Sequence, residues 1–185
     1  MRVEAFASRI VLMLSFAIAA PPALAQSTAE PASPGSNGPH VEVTPFVSMG
    51  SVRSSRIGTA VTFPVTQTIA VETEVGYRRG EGEINALSSS VNLLYSLPRI
   101  GRVTPYLAAG AGLEEQGEPL FQPDGRVAVQ SKLQLALNAG GGLKIPVDDR
   151  WSLRTDARWF WTTGRYPAEH YRVYQGASLG VGPRK

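Results

Sequence analysis

Two histidines and no cysteine leave few places where nucleophilic or metal chemistry could sit in this chain. His170 stands in Glu169-His170-Tyr171-Arg172. A Ser–His–carboxylate hydrolase needs a serine that reaches the imidazole, and none adjoins it in sequence. His170 reads instead as a solvated loop histidine, and His40 falls in a leader segment. Without cysteine, two isolated histidines give no zinc-ligand spacing. Asp148-Asp149 reads as a tight turn held by an aspartate side chain rather than as a calcium site. Gly140-Gly141-Gly142 lacks the Lys-Ser/Thr of a phosphate loop. The expectation is a non-enzymatic protein with no catalytic, cofactor-binding or metal-ligating residues.

The charged residues are more telling. Glu72, Glu74 and Arg78, Lys132 and Lys144, Arg154, Asp156 and Arg158, and Arg172 recur at even spacings within apolar surroundings. In a strand, that spacing puts them on one face. Charges facing a closed interior must pair, because an isolated ion there is costly. The expected network joins Glu72 and Glu74 to Arg154, Arg158 or Lys132, with Asp156 completing it. Gly140 and Gly142, on the neighbouring strand, leave room beside the large charges. Such a lattice can serve as an ion-selective path or as a plug that fixes register. The plug is preferred, since an eight-stranded barrel is filled by its own side chains.

The elements that must position these residues are strands. From Val41 onward, period-two alternation is broken by turn-like clusters. Eight strands are expected at 41–50, 57–65, 68–79, 84–97, 103–113, 128–145, 151–162 and 171–182. Most have the length that a tilted strand needs to cross a bilayer. Tight connections (64–67, 98–102, 146–150) alternate with more polar ones (51–56, 80–83, 114–127, 163–170), the asymmetry of bacterial barrels. Glu114, Glu115 and Glu118 would make the longest polar loop acidic. The fold class expected is all-β, an eight-stranded antiparallel up-and-down transmembrane β-barrel.

Alternation alone does not say which face is inside. A soluble periplasmic barrel around a lipophilic ligand alternates in the opposite sense. Residue size favours lipid outside. The polar face carries small residues (Gly76, Ala108, Gly110, Gly112, Gly140, Gly142, Gly176, Ser178, Gly180), while the other carries bulky Leu, Val and Trp. Two aromatic levels would form interfacial girdles, with Phe63, Tyr95 and Trp151 near the tight turns and Tyr77, Trp159, Trp161 and Tyr171 near the long loops. Pro45 on the outward face calls for a bulge or a strand end, because it lacks a ladder N–H.

The first 25 residues read as a signal peptide, with Arg2 and Arg9, an apolar run and Ala23-Leu24-Ala25 before cleavage near Ala25. Residues 26–40 read as a disordered leader and 41–182 as the barrel. The net charge of +3 is spread along the chain, which argues against nucleic-acid binding. Only 18% of residues are charged, against roughly 25% in soluble domains.

Three segments resemble the OmpA-like and OmpX-like eight-stranded outer-membrane barrels. Val103-Thr104-Pro105-Tyr106-Leu107-Ala108-Ala109-Gly110-Ala111-Gly112 resembles the family's Pro-Tyr, glycine-alternating strand. Asn138 to Pro146, then Val147-Asp148-Asp149-Arg150-Trp151-Ser152-Leu153, resembles its Gly-rich strand, acidic turn and returning strand. Arg154 to Phe160 continues with an inward Arg. The resemblance implies a Gram-negative outer-membrane location in a porin-like family. It also implies partnership with outer-membrane lipid and lipopolysaccharide, and use of the barrel-assembly machinery. A structural or surface-interaction role is implied, with an unspecified surface ligand; the rival is a lipid-modifying barrel enzyme. The sequence ends Gly182-Pro183-Arg184-Lys185 rather than in the family's usual terminal aromatic. No peptidoglycan-binding domain is expected after the eighth strand.

Overall fold

The computed structural model describes residues 40–50, 55–78, 86–121, 127–163 and 168–181. The expected signal peptide, most of the leader and most of the polar connections lie outside the described residues. Eight strands follow one another: β1 (Val41–Gly50), β2 (Arg56–Pro64), β3 (Ile69–Arg78), β4 (Ala86–Ser96), β5 (Thr104–Phe121), β6 (Val127–Pro146), β7 (Trp151–Thr162) and β8 (Ala168–Val181). Each pairs antiparallel with its sequence neighbour, and β8 closes on β1. The result is a closed, all-antiparallel barrel, without helices among the described residues.

Closure leaves no free edge along the wall. Stepping along ladder partners Val43, Val61, Thr73, Val91, Ala111, Leu137, Trp161 and Glu169, the path arrives on β8 past the last β1–β8 pair, Gly50↔Arg172, rather than back at Val43. That stagger tilts the strands and sets a lumen just wide enough to be filled by side chains. Alternation sorts the residues: β7 reads exposed and buried by turns from Trp151 to Thr162, with only Thr155 half-buried.

The tight connections have local causes. Ile100 and Val103 exchange backbone bonds of 2.9 and 3.0 Å around Gly101, whose φ of 61° supplies the left-handed residue that a primed two-residue turn requires. Between β6 and β7, Asp148 Oδ1 accepts from the amides of Arg150 (2.8 Å) and Trp151 (2.7 Å). These two bonds hold its carboxyl below the usual carboxylate range.

Three features depart from the sequence expectation. Residues 114–121 and 127 do not form a loop: β5 and β6 run on past the barrel wall as a two-stranded hairpin paired to Phe121↔Val127. The β4 ladder ends at Ser88↔Glu114. There Glu115, buried rather than solvated, accepts the Leu87 amide at 3.1 Å and replaces the missing ladder bond. Pro45 causes neither a bulge nor a strand end. The β1–β8 register is the same on both sides of it, the ladder pausing only between Val43↔Leu179 and Phe46↔Gly176. Beside that pause, the Thr44 and Ser178 hydroxyls bond at 2.7 Å. Finally, the inward face is not only small and charged. Phe46, Leu94, Tyr106, Phe160 and Tyr174 also point inward and are buried.

Candidate functional site

The candidate site is the lumen, built by residues two apart on β3 and β7, strands that face each other across the ring. Glu72 has no exposed surface. It accepts from Arg154 Nη1, from Arg158 Nη2 at 2.9 Å, from Asn92 at 3.2 Å and from Thr62 at 3.3 Å. Arg158, 2% exposed, also donates to Glu74 (3.3 Å) and Asp156 (3.0 Å). Arg154 donates to Asp156 at 2.9 Å. Ion pairs therefore run straight across the lumen, and the carboxylates are held by charged donors, the stronger class of hydrogen bond.

Tyrosines and amides extend the lattice. Tyr106 donates to Asp156 at 2.5 Å and accepts from Arg154 Nε at 2.7 Å. Asn138 donates to Asn92 (2.9 Å), which donates to Glu72. Aromatic faces support the cations: Arg154 lies 4.9 Å from the Tyr106 ring centre, and Arg158 5.1 Å from that of Tyr174. Small residues on β6 make the room. A Cβ at Gly142 would strike Asp156 and come within 2.5 Å of the Tyr106 hydroxyl, and one at Gly140 would lie 2.7 Å from Arg158 Cα.

Of the residues expected in this network, the structure brings together Glu72, Glu74, Arg154, Asp156 and Arg158. Lys132 is elsewhere, and this corrects the sequence reading. It is exposed on the projecting hairpin opposite Gln116, beyond the level where β6 meets β7 at Ala136↔Thr162. Its spacing gave the right face but not its height along the strand. Lys144 pairs with Glu42 at the opposite end.

A second cluster was not anticipated. Glu114 is buried and paired with Arg56 and with Arg172 at 2.5 Å. His170 is no solvated loop residue: it lies on β8 with its ring stacked on Phe160, centroids 5.2 Å apart. Its Nε2 accepts from Arg172 at 2.9 Å, since arginine can only donate, and lies 3.5 Å from Glu114. The signal was available in the sequence, because Glu114 and His170 continue the inward parity of β5 and β8.

The outward face is mostly apolar. Leu93, Leu107 and Leu153 are each 53% exposed. Phe63, Tyr95, Trp151, Trp159, Trp161 and Tyr171 are exposed as well, and Tyr77 is half-buried. Trp159 and Tyr171 stack at 6.3 Å.

No protein-family model matches the chain, and no curated protein sequence matches it. Among solved structures it is similar to the N-terminal β-barrel domain of Pseudomonas aeruginosa OprF, with TM-score 0.63 and 13% identity over 76% of this chain and 96% of that one. It is also similar to Neisserial surface protein A, with TM-score 0.56 and 12% identity over 77% of this chain and 95% of that one. A de novo designed transmembrane β-barrel matches with TM-score 0.54 and 14% identity over 79% of this chain and 98% of that one. At these identities the likeness is one of fold: a closed eight-stranded antiparallel barrel.

Proposed function

We propose that this chain spans a bacterial outer membrane as a plugged barrel with a structural or surface-interaction role and no catalysis. One observation carries the reading: the wall turns Leu, Val, Trp and Tyr outward and a connected lattice of carboxylates and arginines inward. In water that outward face would be a large continuous apolar patch, which monomeric soluble proteins rarely carry. In lipid it is the stable arrangement, because closure satisfies the backbone and the charges pair inside.

The plug is supported by ion pairs that cross the lumen from β7 to β3. The absence of catalysis is supported by His170, whose Nε2 already accepts from Arg172 and so is not free to take a proton from a nucleophile. The β5–β6 hairpin projecting beyond the wall is the natural surface for a partner, since protruding segments on a rigid scaffold commonly carry recognition.

Membrane fractionation with heat-modifiable gel mobility tests the reading. The folded chain is expected in the detergent-extracted membrane fraction, with a mobility that changes on boiling. Recovery in the soluble fraction would overturn it. Detergent-extracted protein assayed on labelled lipid A and phospholipids, with His170→Ala as control, is expected to release nothing; histidine-dependent turnover would replace this reading with that of a lipid-modifying enzyme.

A further inference from the structure

Between the two aromatic levels the outward positions of the described strands are apolar, aromatic, proline, serine or threonine, with one exception. Gln175 is exposed on β8, in the outward series Tyr171, Val173, Gln175, Ala177, Leu179. It lies four residues from Tyr171, which stacks on Trp159, and four from Leu179, the ladder partner of Trp151. At about 3.3 Å per residue it therefore sits midway across the apolar band. Its carboxamide has no hydrogen-bond partner among the described residues. If the proposed membrane reading holds, as this inference requires, an amide there faces hydrocarbon, where an unpaired polar group is strongly disfavoured.

The surroundings suit a close neighbour. Gln175 is flanked in register by Thr155 on β7 and Val47 on β1, with Ala157, Ala177 and Pro45 around them. Small outward side chains let one wall approach another, as at interfaces between membrane segments. The same patch adjoins the pause in the β1–β8 ladder at Pro45.

We propose that the β7–β8–β1 face pairs two copies of this chain side by side in the membrane, with their Gln175 carboxamides bonded to each other across a two-fold axis. A carboxamide is self-complementary, with a donor and an acceptor side by side, so two of them close a reciprocal pair of hydrogen bonds. Two barrels inserted in the same orientation are related by an axis along the membrane normal, which brings the two Gln175 residues to the same depth. A second copy is thus the one occupant whose complement is guaranteed in both chemistry and height.

The chain lacks cysteine, so Asp149→Cys on the exposed β6–β7 turn gives a single labelling site. Donor- and acceptor-labelled barrels in phosphatidylcholine vesicles are expected to show energy transfer above random proximity as protein is diluted into lipid. Gln175→Leu should shift the midpoint by about tenfold or more toward crowding, while leaving heat-modifiable mobility intact. Val91→Leu on β4, across the ring from β8, should change nothing. An inserted barrel with only random transfer, or a Gln175→Leu barrel that associates like the parent, overturns the pairing alone. A chain that never enters vesicles overturns the membrane reading and this inference with it.

Discussion

Replacing Arg158 with Met, a shorter unbranched side chain without charge, should destabilise the barrel far more than replacing Glu74 with Leu. Arg158 serves Glu72, Glu74 and Asp156. Without it, Glu72 and Asp156 keep Arg154. Glu74, 4% exposed, loses the one ion pair it makes among the described residues. Breaking a buried pair typically costs about 3–5 kcal/mol; with Arg154 still serving two of the three carboxylates, the lower end, about 3 kcal/mol, is expected. Glu74→Leu removes a long 3.3 Å bond while Arg158 keeps two partners, so its cost should stay within about 1 kcal/mol. The double variant removes the stranded carboxylate and should recover about 2 kcal/mol of coupling. Denaturant unfolding of the four proteins in phospholipid vesicles, followed by the fluorescence of the three tryptophans, measures the cycle. Equal costs for the two single changes, or simple additivity, would refute the account of the lattice.

Planar bilayers holding the parent protein should show no open-pore conductance, because the β3–β7 ion pairs cross the lumen; a steady conducting pore would contradict the plug. Gly140→Ala and Gly142→Ala should each cost about 1–3 kcal/mol or more by overpacking, since the added methyl meets Arg158 Cα or Asp156 and Tyr106; unfolding midpoints check this. Asp148 has a depressed carboxyl pKa. Its turn-holding bonds therefore add stability above the unfolded value of about 3.9, and lose it as pH falls through the lower folded value. Asp148→Ala should lower the unfolding midpoint at pH 7, with the gap to the parent closing toward pH 2; a gap that stays constant would count against the turn.

Period two was the legible part of the sequence. Arg154, Asp156 and Arg158 alternate with Leu153, Thr155, Ala157 and Trp159, so their face followed from parity alone, as did that of Glu72 and Glu74. Height was not legible. Lys132 shares the inward parity of Gln134 and Ala136, yet it sits on the hairpin above the wall because β5 and β6 outrun β4 and β7. How far a ladder continues depends on the partner strand, not on local alternation. The acidic run at Glu114 and Glu115 looked like a solvated loop for the same reason. Only strand order reveals that Arg56 and Arg172 reach Glu114, because those pairs join residues far apart in the chain. The inward aromatics were not singled out: Tyr106 and Tyr174 share the inward parity of β5 and β8, but only the folded barrel brings their ring faces to Arg154 and Arg158.

Nitroxides placed one at a time at Leu107 and Ala108 on β5 and at Leu153 and Arg154 on β7, in reconstituted vesicles, test the side-chain orientation most directly. The labels at Leu107 and Leu153 should collide readily with dissolved oxygen and poorly with a water-soluble nickel chelate, while those at Ala108 and Arg154 should be shielded from oxygen in the lipid. The opposite pattern, with Leu107 and Leu153 sheltered and Ala108 and Arg154 open to the chelate, would contradict a barrel that turns its apolar side chains to lipid and its charges inward.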